Sequence, residues 1–318
     1  MGTGSGLAGI VRAELMRPAP EAARRLSDAA QQRYGDAVLA SLFYGSCLRN
    51  ATAEGVLDFY VIVDDYRRAY ASRWLAAANA LLPPNVFYLE QPTPDGALRA
   101  KVAVMSARDF ARGTGGGSLR PGFWARFCQP AIAVHTRDER ALETIVAAIT
   151  GAVRTAVVRG LGLLEVQQGE ARFDSSALWT ALFRETYASE LRAESDTTVR
   201  SLHDAAPERY AHVLDAVLAE LCDAGRAHVT RLDDGYRVSA APELLGHPRR
   251  ARRIGAKLAG LAQLLKSAFT FGDWVPYALW KLERHTGTHI ELTERQRRHP
   301  FLFAWPVILR VLARRELR

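Results

Sequence analysis

The sequence predicts a mixed α/β (α+β) protein with three parts: a first domain over residues 1–165, a helix-and-hairpin unit over 166–248 and a helical segment over 249–318. Three features predict it. Two apolar runs, Val38–Tyr44 and Leu57–Val63, flank a short polar loop, as neighbouring strands do. Further on, helical spacing over Arg209–Leu221 runs into Ala227–Val238, where alternating residues bracket Asp233-Asp234-Gly235. That is a strong hairpin signal. From Arg249 the chain turns to clustered Arg, Trp and Phe, a third kind of text.

Each element follows in order. Residues 8–34 have helical spacing broken at Pro18 and Pro20, which predicts two helices before the first strand. After the second strand, Tyr66–Leu82 predicts one Ala- and Arg-rich helix stopped by Pro83-Pro84. Val86–Leu89 and Ala100–Met105 predict two short strands joined through Pro94-Asp95-Gly96. Gly113–Gly117 with Ser118 reads as a flexible loop, either a connector or an active-site lid. Phe123–Val134 and a helix over Glu139–Arg159 complete the first domain, and the next element begins near Leu178. The later helix and hairpin together look like a winged helix. Basic residues are sparse on Arg209–Leu221, so packing is favoured over nucleic-acid binding.

Composition narrows the class. The 318 residues are 48% hydrophobic and 24% charged, which excludes a disordered chain. A net charge of +8 points to an anionic partner: nucleic acid, nucleotide or acidic lipid. Cys47, Cys128 and Cys222 are far apart and in no metal-ligand spacing, so they read as reduced thiols of a cytosolic protein. By this reading no run of about 18 apolar residues spans a bilayer. The first residues, Met1–Gly6, carry neither an apolar signal core nor a myristoylation pattern. In the C-terminal segment, Trp274, Trp280, Phe301, Phe303 and Trp305 lie among Arg284, Arg310, Arg314 and Arg315. Aromatic rings and cations in that mixture suit attachment to an anionic membrane surface better than burial.

The chemistry is concentrated between Phe43 and Asp65. A strand ends in Tyr44-Gly45-Ser46, and a second strand opens at Asp58. Nucleotidyltransferases of the polymerase-β type build an active site in that order. Gly45 lets the backbone approach a triphosphate, Ser46 offers a hydroxyl and an N–H to its oxygens, and Asp58 is a hard ligand for Mg²⁺. Such sites usually carry a second acid two residues on, on the same strand face. Here that place is Tyr60. Asp64 has the right parity but lies roughly 20 Å along an extended strand. Glu90, at the end of the next strand-like run, is the remaining candidate for a second metal ligand.

Taken together, these pieces resemble the mitochondrial translocator assembly and maintenance family of phosphatidate cytidylyltransferases (CDP-diacylglycerol synthases) and its bacterial relatives. The resemblance is carried by Tyr44-Gly45-Ser46, Leu57-Asp58-Phe59 with Val63-Asp64-Asp65, Asn85–Tyr88 and Lys101–Ser106. Arg126–Pro130, with Ala125 where the family has Gly, continues it, as do Tyr187, Glu190 and Arg192, and Lys266–Thr270. It covers residues 40–285, and the family too lacks an acid at the Tyr60 place. It implies a nucleotidyltransferase domain, a winged-helix domain and a C-terminal membrane-associating segment. It implies transfer of cytidylyl from CTP to phosphatidic acid with Mg²⁺ as cofactor. Asp58 would hold the metal, Tyr44, Gly45 and Ser46 the nucleotide, and Lys101 would contact the leaving pyrophosphate or the lipid phosphate. Arg126 and Lys266 would contact the nucleotide, and Arg192 and Lys266 the lipid phosphate. With a residue usage that suggests a GC-rich bacterial genome, the place implied is the bacterial cytoplasm, peripheral to the inner face of the cytoplasmic membrane. No nucleic-acid partner is expected. Two rivals stand beside this function: a nucleotidyltransferase for another small or lipid substrate, and a membrane-tethered winged-helix DNA-binding protein whose first domain is inactive.

Overall fold

The structure, a computed structural model, describes residues 6–94, 96–118, 121–189, 196–240, 244 and 266. The C-terminal membrane-surface segment expected over 249–318 therefore lies, apart from Lys266, outside the described residues. Helices α1 (Leu7–Leu15) and α2 (Glu21–Tyr34) open the chain, parted at the expected prolines. Then come β1 (Val38–Tyr44), the single turn α3 (Ser46–Arg49), β2 (Val56–Val63), α4 (Tyr66–Ala69), α5 (Arg73–Leu81), β3 (Asn85–Thr93) and β4 (Gly96–Ser106). Next are α6 (Ala107–Thr114), α7 (Pro121–Phe127), β5 (Ala131–Thr136) and the long α8 (Glu139–Leu161). A second group follows: β6 (Glu170–Phe173), α9 (Ser175–Ser189), α10 (Asp196–Asp204), α11 (Pro207–Asp223), β7 (Ala227–Leu232) and β8 (Gly235–Ala240).

The first five strands form one mixed sheet in the order β3-β4-β2-β1-β5, with β2 and β4 parallel and the other pairs antiparallel. Alternation sorts its side chains between two cores. Phe43, Phe59, Val61, Phe87 and Val102 pack with Leu26, Tyr66 and Tyr70 on the side of α2 and α4. Leu42, Tyr60, Ile62 and Met105 pack on the other side with Phe110, Phe127 and Ile149 of α6, α7 and α8. This second core does not stop at the boundary expected near residue 165. It continues without a break into Trp179, Phe183, Tyr210, Leu214 and Val238.

Four local differences from the sequence reading have physical causes. The helix expected over 66–82 is two helices, because Tyr70 leaves helical geometry and Ser72 caps α5 by accepting from the Leu75 amide at 3.4 Å. The strand β6 went unexpected. It joins the hairpin to make the sheet β6-β8-β7. The glycine loop after α6 is held to α8: Thr155 donates to the Thr114 carbonyl at 3.1 Å, and Arg159 donates to the Gly116 carbonyl at 3.0 Å. Finally, α8 is long and apolar enough to cross a membrane by length and composition, contrary to the expectation that no such run exists. Most of that stretch is buried in the core, which accounts for its apolar character.

Candidate active site

Strand register builds the site. Tyr44 pairs with Asp58 across β1 and β2, Asp58 with Lys101 across β2 and β4, and Lys101 with Tyr88 across β4 and β3. Neighbouring strands stand about 4.8 Å apart, and directly paired residues share a face. Tyr44, Asp58 and Lys101 therefore form one row on the α7 side, at the end of the sheet where β1 stops and β2 begins. Tyr44 and Asp58 are half-buried, and Lys101 is exposed. This brings two of the sequence-predicted residues together from positions 43 apart in the chain.

Gly45 closes the row. Its φ is +91°, in the left-handed region, and a Cβ there would lie 2.7 Å from Asp58 Oδ2 and 3.3 Å from Asp58 Cβ. The turn after β1 thus presses directly against the Asp58 carboxylate, and only glycine leaves that oxygen room. Ser46 begins α3 immediately beyond it. The place of the missing second acid is filled: Tyr60 is 2% exposed and packs against Tyr44, Phe110, Phe123 and Phe127, with the Phe127 ring 5.0 Å away. A carboxylate there would be buried among rings, at a large desolvation cost.

The other candidates fall at varying distance. Arg126 is on α7 beside Phe127, whose ring packs on Tyr44 at 5.6 Å, and its guanidinium donates to the Gly122 carbonyl at 2.8 Å. Glu90 faces the same side of the sheet but pairs with Arg99 of β4, and its carboxylate accepts from Tyr88 at 2.8 Å. Burial first, and then that bond to Glu90, push the Tyr88 phenol well above its ordinary range, so it stays a donor. Two strands and two residues separate Glu90 from Asp58, roughly 12 Å between Cα atoms, so the sheet does not bring it to the same point. Lys266 is also elsewhere. Its ammonium donates to the Leu82 and Pro84 carbonyls, just ahead of Asn85, which pairs with Val104 three residues beyond Lys101. That is the other end of the sheet from Gly45. Arg192 lies outside the described residues.

Among the described residues no cluster of three or more His, Cys, Asp or Glu could enclose a metal. Asp58 alone still suits Mg²⁺, which keeps several waters and takes one or two carboxylates together with substrate phosphates. The space that a Cβ at Gly45 would fill, against Asp58 Oδ2, agrees with such a ligand.

Compared with known proteins, the chain matches no family model, and no curated protein is significantly similar to it.

Sequence reasoning missed two cations near this end of the sheet. Arg99 shares the face of Lys101 but is engaged by Glu90 at 3.5 Å. Arg49, the last residue of α3, donates to Gln129 Oε1 at 3.2 Å. The only signal for Arg49 was its place three residues past Ser46, one helical turn away.

Proposed function

We propose that the chain is a Mg²⁺-dependent nucleotidyltransferase that moves the cytidylyl group of CTP to phosphatidic acid, giving CDP-diacylglycerol and pyrophosphate. In this reading residues 1–165 are a nucleotidyltransferase domain of the polymerase-β type, and β6 to β8 with α9 to α11 are a winged-helix-like unit. One observation carries it: the Gly45 turn abuts the Asp58 carboxylate, with Lys101 in register beside it. An exposed cation, a hard oxygen ligand and a close-approaching backbone in one row are what a polyphosphate requires.

In the reaction a phosphate oxygen of the lipid attacks the α-phosphorus of CTP, and the bond from that phosphorus to the bridging oxygen breaks. Pyrophosphate leaves with the electron pair. Such transfers depend on positioning and charge neutralisation more than on covalent help. Asp58 would hold Mg²⁺, which supplies positive charge to the phosphates when bound. Ser46 donates its hydroxyl to a phosphate oxygen, and Lys101 neutralises charge as the leaving group departs. Tyr44 and Tyr60, on Phe127, form an apolar floor that keeps water from one side of the row. Access to the lipid is assigned to an anionic membrane surface on the cytoplasmic side of a bacterial membrane, met by residues after Arg249.

The DNA-binding alternative draws less support. Arg209 of α11 is buried against Glu14 at 2.7 Å, and Arg231 of the hairpin pairs with Asp215 at 3.0 Å. Arg209 is thereby committed inside the fold, and Arg231, although exposed, already has an acidic partner. The deciding experiment incubates purified full-length protein with radiolabelled CTP, Mg²⁺ and phosphatidic acid. Lipid-soluble label that comigrates with CDP-diacylglycerol is expected. Label appearing only with another acceptor would move the function to the small-substrate rival, and none with any acceptor would reject it.

A further inference from the structure

Several charged residues around the sheet have charged partners. Arg99 has Glu90, Arg68 and Arg137 share Asp64, and Arg209 has Glu14. Arg49 differs. It is half-buried, yet its guanidinium is engaged by the neutral Gln129 Oε1, and no carboxylate among the described residues pairs with it. A partly desolvated guanidinium without a counter-anion is costly, and the cost is recovered when an anion arrives.

The side chain is also aimed and braced. Arg49 closes the turn begun at Gly45, its amide donating to the Gly45 carbonyl at 3.1 Å. Residues three apart on a helical turn are neighbours, so Arg49 stands over Ser46. Gln129 belongs to the corner between α7 and β5, and its amide donates to the Ala125 carbonyl at 2.8 Å, leaving the oxygen for Arg49. Arg49 therefore reaches the α7 side of the sheet, the side on which Asp58 and Lys101 stand. The corner itself is clamped. Arg209 donates to the Cys128 carbonyl, and Glu14 accepts from the Ala131 amide at 3.4 Å. Ala131 pairs with Tyr44, the residue before the turn. A guanidinium held this way keeps most of its donor fork for a ligand at little further ordering cost.

We propose that Arg49 binds phosphate oxygens of the substrate at this site, an inference that rests on the nucleotidyl-transfer reading for where the polyanion lies. Phosphate could reach it from the nucleotide or from the lipid, and the test separates the two. Calorimetric titrations of full-length protein, at fixed ionic strength, would use pyrophosphate, Mg²⁺–CTP and a short-chain soluble phosphatidic acid as probes. Arg49→Gln is expected to weaken pyrophosphate and CTP about tenfold or more, with melting unchanged. A loss confined to the phosphatidic acid assigns the contact to the lipid phosphate and upholds the inference. Arg49→Lys keeps the charge without the fork and serves if the glutamine variant melts early: weaker binding of any one probe supports the role. All three affinities within about twofold of wild type in a folded variant would overturn it, as would wild-type protein that binds none of them. If wild type binds pyrophosphate through Arg49 yet makes no CDP-diacylglycerol, the inference stands and the proposed reaction falls.

Discussion

The two ends of β2 each carry acid, in different surroundings. At the far end Asp64 accepts from Arg137 at 3.1 Å and from the Asp65 amide at 2.7 Å, and it pairs with Arg68 as well. Asp65 caps α4 by accepting from the Arg67 amide at 2.6 Å. Those carboxylates are spent on holding a strand-to-helix corner. At the near end Asp58 lies against a glycine in a left-handed conformation, with Lys101 beside it. Asp58, the acid that the proposed reading gives to the metal, has on its turn side a neighbour with no side chain.

That contrast can be broken by substitution. The largest effect among the residues around Asp58 is expected at Lys101→Ala, with turnover on CTP down about a hundredfold and the melting temperature unchanged, since an exposed lysine contributes little to folding. An early-melting variant with normal turnover would make Lys101 structural. Gly45→Ala should cost both properties. The positive φ strains any other residue by about 1–2 kcal/mol. The added methyl would also displace the Asp58 carboxylate it meets at 2.7 Å, lowering turnover about tenfold or more. A denaturant melt and a rate on one preparation check this, and a variant with unaltered rate would detach the turn from the chemistry. Smallest is Asp65→Ala: loss of the cap should cost about 1 kcal/mol of stability and leave the rate alone. A fall in rate there would erase the difference between the two ends.

Much of this was legible in the sequence, for reasons that differ by element. The strands over Val38–Tyr44 and Val56–Val63 show as apolar runs because both faces of the sheet are covered. The Gly45-Ser46 turn and Asp58 stood out because few residue types suit the chemistry proposed for them. By contrast β6 has only four residues, with Ala171 and Phe173 alone facing inward, too short a pattern to register. Lys266 was expected to contact phosphate only because the family resemblance implied it, and its ammonium donates to two backbone carbonyls at the α5–β3 corner. The bond from Arg49 to Gln129, and the Glu14–Arg209 pair spanning 195 residues, are set by tertiary packing that no local pattern encodes.

The most direct test compares the two ends of β2 in one assay. Wild type, Asp58→Asn and Asp64→Asn would each receive labelled CTP, Mg²⁺ and phosphatidic acid, with lipid-soluble label and released pyrophosphate counted together. The account expects matched label and pyrophosphate from wild type and from Asp64→Asn, with the latter's rate within about threefold of wild type. From Asp58→Asn it expects a rate lower by about a thousandfold or more, because the amide keeps the shape but loses the charge that would hold the metal. Asp58→Asn turning over within about threefold of wild type, or Asp64→Asn failing while still folded, would contradict it.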